Sequence, residues 1–109
     1  MSAPRELTRF TQHEIDYAFK NARRVIAQPG IHILLAPKQK ELGRILVIAS
    51  RHIGNAVRRN KLKRQLRSIF NENKLFENPF DCLIIFKKHK DELSFDALKT
   101  LLLKAYESR

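Results

Sequence analysis

The stretch Arg44-Ile45-Leu46-Val47-Ile48-Ala49-Ser50-Arg51-His52-Ile53-Gly54-Asn55-Ala56-Val57-Arg58-Arg59-Asn60-Lys61-Leu62-Lys63-Arg64 frames the rest of the chain. Its first part, Ile45–Ala49, is nearly continuous in apolar residues, the pattern of a strand covered on both faces. Gly54 permits a turn conformation closed to other residues, and Asn55 is a good N-cap for a helix beginning after it. From Asn55 to Asn71, Leu62, Leu66, Ile69 and Phe70 recur at helical spacing and make one narrow apolar stripe. At 100° per residue, Asn60, Lys61, Arg64 and Arg67 fall on the far side of that stripe, with Arg58, Arg59 and Lys63 flanking it. A second apolar run, Asp81–Lys87, comes after the helix. The connection from the first run to the second is long enough for a parallel crossover through the helix.

Working outward, Thr11 and Glu14 have the spacing of a capping box. Ile15, Ala18, Phe19, Ala22, Val25 and Ile26 then recur at three- and four-residue intervals. This predicts a first helix that runs to Pro29-Gly30. Ile31–Ala36 reads as a strand, and Pro37 to Gly43 as an exposed loop. The expectation is an antiparallel pairing of that strand with Ile45–Ala49. A last helix starts near Ser94, and Phe95, Leu98, Leu101, Leu102 and Ala105 make its apolar face. The order helix, strand, strand, helix, strand, helix predicts an α+β fold. It would be a small single-domain two-layer sandwich over residues 1–109, with helices packed on a sheet.

Charge is the strongest global signal. The chain of 109 residues carries 22 Lys and Arg against 11 Asp and Glu. Residues 1–70 hold 15 basic and 4 acidic side chains, whereas residues 71–109 hold 7 of each, so the whole excess lies in the first two-thirds. No acidic residue occurs between Glu41 and Glu72, an interval that includes Arg44, Arg51, Arg58, Arg59, Lys61, Lys63, Arg64 and Arg67. Such a field repels itself, and a polyanion relieves it by releasing condensed counterions. Arg offers a planar fork to phosphate and Lys a compact charge. Asn60 among them can donate to or accept from a sugar hydroxyl or base edge. The free amides at the start of this helix would also favour phosphate. Structured RNA is the partner these features fit.

Other chemistries find little support. Cys82, the only cysteine, cannot form an internal disulfide and reads as a small core residue. His13, His32, His52 and His89 are scattered without metal-ligand spacing. Ser50 and His52 share one side of an extended segment, but no orienting acid or oxyanion loop accompanies them. No catalytic residue and no metal-ligand set is therefore expected. Lys87-Lys88-His89-Lys90 is followed at once by Asp91 and Glu92 and reads as a solvated loop. No apolar run reaches the roughly 20 residues that span a bilayer, so a cytoplasmic protein without a membrane partner is expected.

The run Arg59-Asn60-Lys61-Leu62-Lys63-Arg64, preceded by Ile53-Gly54-Asn55-Ala56-Val57, resembles the signature of the bacterial ribonuclease P protein component family. The likeness extends to Leu7-Thr8-Arg9 with Ile15 and Phe19, to Arg44–Ser50, to Asp81 and its strand, and to the last helix. The resemblance implies a left-handed crossover containing the basic helix, against the usual right-handed rule. It also implies an accessory subunit of an endoribonuclease that removes the 5′ leader of precursor tRNA. The catalytic centre would be an RNA subunit using Mg²⁺, which the RNA and the substrate would mainly hold. RNA contacts are implied at Arg51, His52, Asn55, Arg58, Arg59, Asn60, Lys61, Lys63, Arg64 and Arg67. A leader-binding cleft between the first helix and the sheet is implied at Arg9, Ile15, Tyr17 and Phe19. Phe19 either stacks a base there or packs in the core. The partners implied are the catalytic RNA and precursor tRNA, with no DNA. A structural RNA-binding protein, such as a ribosome component, is the alternative that composition leaves open. A basic amphipathic helix on a membrane surface and a DNA-binding helix-turn-helix fit the strand-flanked helix less well.

Overall fold

The computed structural model describes residues 5–87 and 94–107, with the side chains of Arg5 and His52 outside that description. The first helix, α1, spans Gln12–Asn21. Its capping box is complete. The Glu14 amide donates to the Thr11 hydroxyl at 3.2 Å, and the Thr11 amide donates back to the Glu14 carboxylate at 2.9 Å. The helix stops at Asn21, well before Pro29. Arg23–Gln28 is instead a strand, β1, antiparallel to β2 (Ile31–Pro37). Pro29 and Gly30 are the central residues of the hairpin turn, and Gly30 takes φ 82°, where glycine carries no steric penalty. The apolar spacing through Val25 and Ile26 is helical, but pairing overrides it. These β-branched residues pack on the sheet as a strand, with Ile26 opposite Ile33 and Val25 as the extra residue of a bulge.

The remaining elements are β3 (Ile45–Ala49), α2 (Ala56–Glu72), β4 (Phe80–Phe86) and α3 (Phe95–Glu107). Ser94 caps α3, accepting from the Ala97 amide at 3.1 Å. Residues 88–93, which include most of the Lys87-Lys88-His89-Lys90 run, lie outside the described residues.

The sheet order is β1-β2-β4-β3, with β2 antiparallel to β4 and β3 parallel to β4. The crossover through α2 is therefore present. The expected pairing of β2 with β3 is not, because β4 lies between them. Burial explains the insertion. In β4 the residues Asp81 to Ile84 are all buried, which requires a central position with cover on both faces. Ile45–Ala49, expected to be covered on both faces, is an edge strand, and Ile48 is 38 % exposed.

The two faces are packed unequally. On one, Ile31, Ile33, Leu35, Ile45, Val47, Cys82, Ile84 and Phe86 meet Leu66, Ile69 and Phe70 of α2 and Leu98, Leu102 and Tyr106 of α3. Full burial of one such large side chain contributes about 1.5–3 kcal/mol, so this layer is the main core. Burial among these groups pushes the Cys82 thiol up to about 12, which leaves it a neutral core residue. On the other face α1 meets the sheet through Ala18, Ala36 and Leu83, with Ala22, Leu34 and Leu46 partly buried around them. Two of those three buried groups are alanines, so apolar burial alone holds α1 weakly.

Candidate nucleic-acid interface

The longest helix forms the first part of the site. Asn55 caps α2 with its side-chain oxygen, which accepts from the Arg58 amide at 3.0 Å. Gly54 before it takes φ 154°, where a Cβ would come within 2.7 Å of the Arg58 side chain. Leu66, Ile69 and Phe70 are buried and Leu62 packs partly against the core, which fixes the rotation of the helix. That rotation exposes Arg58, Asn60, Lys61 and Arg64 to solvent, and Arg51 on the turn before the helix is exposed as well. Arg59, Lys63 and Arg67 are half-buried beside the apolar stripe, and the Nε atoms of Arg59 and Arg67 are buried without hydrogen-bond partners. Arg67 thus stands at the flank of the helix, not on its far side. Such side chains pack their stems and keep the charged fork outward. None of the cations on α2 makes an ion pair among the described residues. The side chain of His52 lies outside the description, and Asn55 spends its carbonyl oxygen on the cap.

Arg44 belongs to a different structure, although the sequence groups it with these cations. It is 2 % exposed and forms the hub of a buried ion cluster. Its Nη1 donates to the Arg9 carbonyl at 2.8 Å and to Glu14 Oε1 at 3.1 Å, and its Nη2 lies 3.7 Å from Asp81 Oδ2. Its amide donates to Asp81 Oδ1 at 2.9 Å, and the guanidinium lies 4.1 Å from the Phe10 ring centroid. Lys40 reaches Glu14 at 3.4 Å, and Gln39 donates to the Glu14 carbonyl. The Thr11 amide and the Arg44 guanidinium hold the Glu14 carboxyl down at about 2. Burial raises the pKa of Asp81, against the opposing pull of the Arg44 amide and charge. The cluster ties the start of α1 to the starts of β3 and β4. A cavity of about 600 Å³ lies over it, lined by Leu7, Arg9, Phe10, Glu14, Lys40 and Leu42 among others.

The cleft residues do not form one group. Arg9 is at the cavity, near the start of α1. Ile15 is half-buried, and Phe19 on the same flank of α1 is 37 % exposed, so Phe19 is not a core residue. Tyr17, 45 % exposed, projects from the opposite flank, about 160° away at 100° per residue. The residues that sequence reading missed lie on the sheet. Ala27, His32, Ile85 and Ile48 form one row across all four strands, on the α1 side but outside the cluster that α1 covers. Ala27 and Ile48 are exposed and His32 and Ile85 half-buried. Alternation within each strand was the only local signal for this row, and it depended on knowing the strand order.

Among the described residues the carboxylates make no cation site. Asp81 is consumed by Arg44, and Asp16 accepts from Gln12 on the exposed side of α1. No group of three His, Cys, Asp or Glu residues that could hold a metal occurs among the described residues. No helix there is long and apolar enough to cross a membrane.

Comparison with known proteins gives a consistent result. Residues 4–108 match the protein family Ribonuclease P. The ribonuclease P protein component of Bacillus velezensis is 42 % identical over 66 % of this chain and 61 % of its own length. That of Photorhabdus laumondii is 33 % identical over 97 % of this chain and 89 % of its own length. In the first of these the chain spans less than two-thirds of the relative. Among solved structures, the RNase P protein of Thermotoga maritima superposes with a TM-score of 0.70 at 27 % identity, covering 84 % of this chain and 90 % of its own. The Staphylococcus aureus RNase P protein shares the fold, with a TM-score of 0.76 at 19 % identity over 93 % of both chains.

Proposed function

This chain belongs to the bacterial ribonuclease P protein family, and from that premise we propose that it is the protein subunit of a tRNA-processing ribonucleoprotein. Its partners are the catalytic RNA and precursor tRNA. The observation that carries this reading is the outer surface of α2, a rigid rod of cations with no acid between Glu41 and Glu72. Arg58, Asn60, Lys61 and Arg64 project freely, and Arg59, Lys63 and Arg67 are half-buried, with charged heads on packed stems. A helix so capped and packed loses little conformational freedom when phosphates bind, and counterion release drives the association. The chain itself supplies binding and positioning, and the phosphodiester chemistry belongs to the RNA. Mg²⁺ would be held by that RNA and by the substrate.

The leader of precursor tRNA lies between α1 and the uncovered row of the sheet. Phe19 offers an exposed ring, and a base stacked on an aromatic ring is worth about 1–3 kcal/mol. His32 and Ile85 supply the floor. Ile15 packs beneath and does not stack. The test is to add the protein to a catalytic RNA at low Mg²⁺ with a precursor tRNA that carries a leader. Faster leader removal than by the RNA alone is the expected result. Unchanged cleavage, or co-sedimentation with ribosomal subunits and no leader preference, would overturn the assignment.

A further inference from the structure

We propose that Lys20, Arg23 and Arg24, at the corner where α1 passes into β1, form a second phosphate-binding surface that takes the backbone of the single-stranded leader as it leaves the sheet face. This rests on the leader-binding function above and extends it to residues outside the cleft.

Among the described residues the α1 face of the sheet carries no free acid; the exposed acid of α1 itself is Asp16, one turn before Lys20 and hydrogen-bonded to Gln12. No acidic residue lies between Asp16 and Glu41, an interval that contains all of β1 and β2. By strand alternation and register, this face carries Arg24 and Ala27 from β1, His32, Leu34 and Ala36 from β2, Leu46 and Ile48 from β3, and Asp81, Leu83 and Ile85 from β4. Asp81 is its one acid, and it is buried against Arg44. Lys20, Arg23 and Arg24 are all exposed, and none makes an ion pair among the described residues.

Placement selects the partner. Arg24 pairs with Leu34, and Ala27, the next residue of β1 on that face, pairs with His32. Diagonal neighbours on adjacent strands lie about 7–8 Å apart, within reach of an arginine fork, so Arg24 can meet the phosphate of a nucleotide resting on His32. Arg23 points to the other side of the strand, and Lys20 projects from the side of α1 opposite the buried Ala18. The three charges therefore wrap a corner. A flexible single strand bends round such a corner, whereas a duplex does not. The main cation surface, on α2, lies on the opposite face of the sheet. The leader fits this arrangement better than a helical part of the catalytic RNA.

The experiment uses the reconstituted holoenzyme and two precursor tRNAs, one with a long leader and one with a leader too short to reach the β1 edge. Affinity is measured over a salt series for the wild type, for K20Q/R23Q/R24Q and for the charge-keeping K20R/R23K/R24K. In the glutamine variant the long-leader substrate should bind about tenfold more weakly, with a salt slope lower by about 2, at roughly 0.7 for each lost single-strand contact. Short-leader binding and assembly with the catalytic RNA should stay within about twofold, and the charge-keeping variant should behave as the wild type. Equal losses for both substrates, weaker assembly with the catalytic RNA, or no loss would each overturn the proposal. Self-association of the glutamine variant with unchanged leader affinity would also overturn it, since the cations would then guard the sheet edge against pairing. A wild-type protein that shows no leader preference would remove the leader-binding function itself, an outcome distinct from all of these.

Discussion

The two faces of the sheet hold their helices by different forces. On the α2 and α3 side a continuous layer of Ile, Leu and Phe locks the helices, and the cations of α2 stand outside that layer. On the α1 side the buried contact is small, mostly alanine, and a buried ion cluster centred on Arg44 supplies the anchor. Hydrophobic burial is non-directional and sums over area. A buried ion cluster works only as a unit, because removal of one member leaves its partners charged and unpaired. One face therefore tolerates changes in its exposed cations, and the other joins its stability to the position of α1, the wall of the proposed leader cleft.

The sharpest way to break this comparison is Arg44→Ala. It strands Asp81 and releases Glu14, Phe10 and the Arg9 carbonyl together, so a loss of about 3–5 kcal/mol is expected in denaturant unfolding. A loss under about 1 kcal/mol would mean that the cluster does not anchor α1. On the opposite face, Arg64→Ala should leave stability within about 0.5 kcal/mol, as for other surface changes. It should weaken binding to the catalytic RNA and reduce the salt slope by about 0.7–0.9 for one lost phosphate contact. Arg59→Ala should do the same with some added loss of stability, because its stem is packed. Unchanged affinity in both variants would place the RNA surface elsewhere.

A smaller effect concerns the start of α2. Asn55→Ala removes the cap on the Arg58 amide and should cost about 1 kcal/mol, measured as a fall in the unfolding midpoint. Asn55→Gly should cost only a few tenths of that unit, and equal losses in the two would show that the cap contributes nothing. The smallest effect is a pH dependence. The Glu14 carboxyl is held at about 2 in the fold against its ordinary 4.5. Its stabilising contribution is complete above 4.5 and is lost as pH falls towards 2. Asp81, with its pKa raised, acts in the opposite sense and gains as it protonates. Glu14→Gln should therefore flatten acid destabilisation in that window, and an unchanged acid profile would show that the Glu14 interactions persist in the unfolded chain.

The same contrast separates what was legible in the sequence from what was not. The α2 stripe, the Asn55 cap, the Thr11 and Glu14 box and the Ser94 cap all rest on contacts within a few residues, and all were readable as patterns. The end of α1 was misread because Val25 and Ile26 suit either a helix or a strand, and only the presence of β2 alongside decides between them. The role of Arg44 was hidden because its partners lie 30 and 37 residues away. The uncovered row of Ala27, His32, Ile85 and Ile48 exists only once β4 has been placed between β2 and β3.

Sequence alone determined the class of the fold, the basic helix and the excess of positive charge it carries. Those properties come from local periodicity and from a charge count that no folding can change. Tertiary structure alone decided which cations stay free and which are buried, which strand occupies the centre and where the sheet remains open. Those outcomes depend on the competition among strands for a limited supply of buried surface, and such a competition has no local signature.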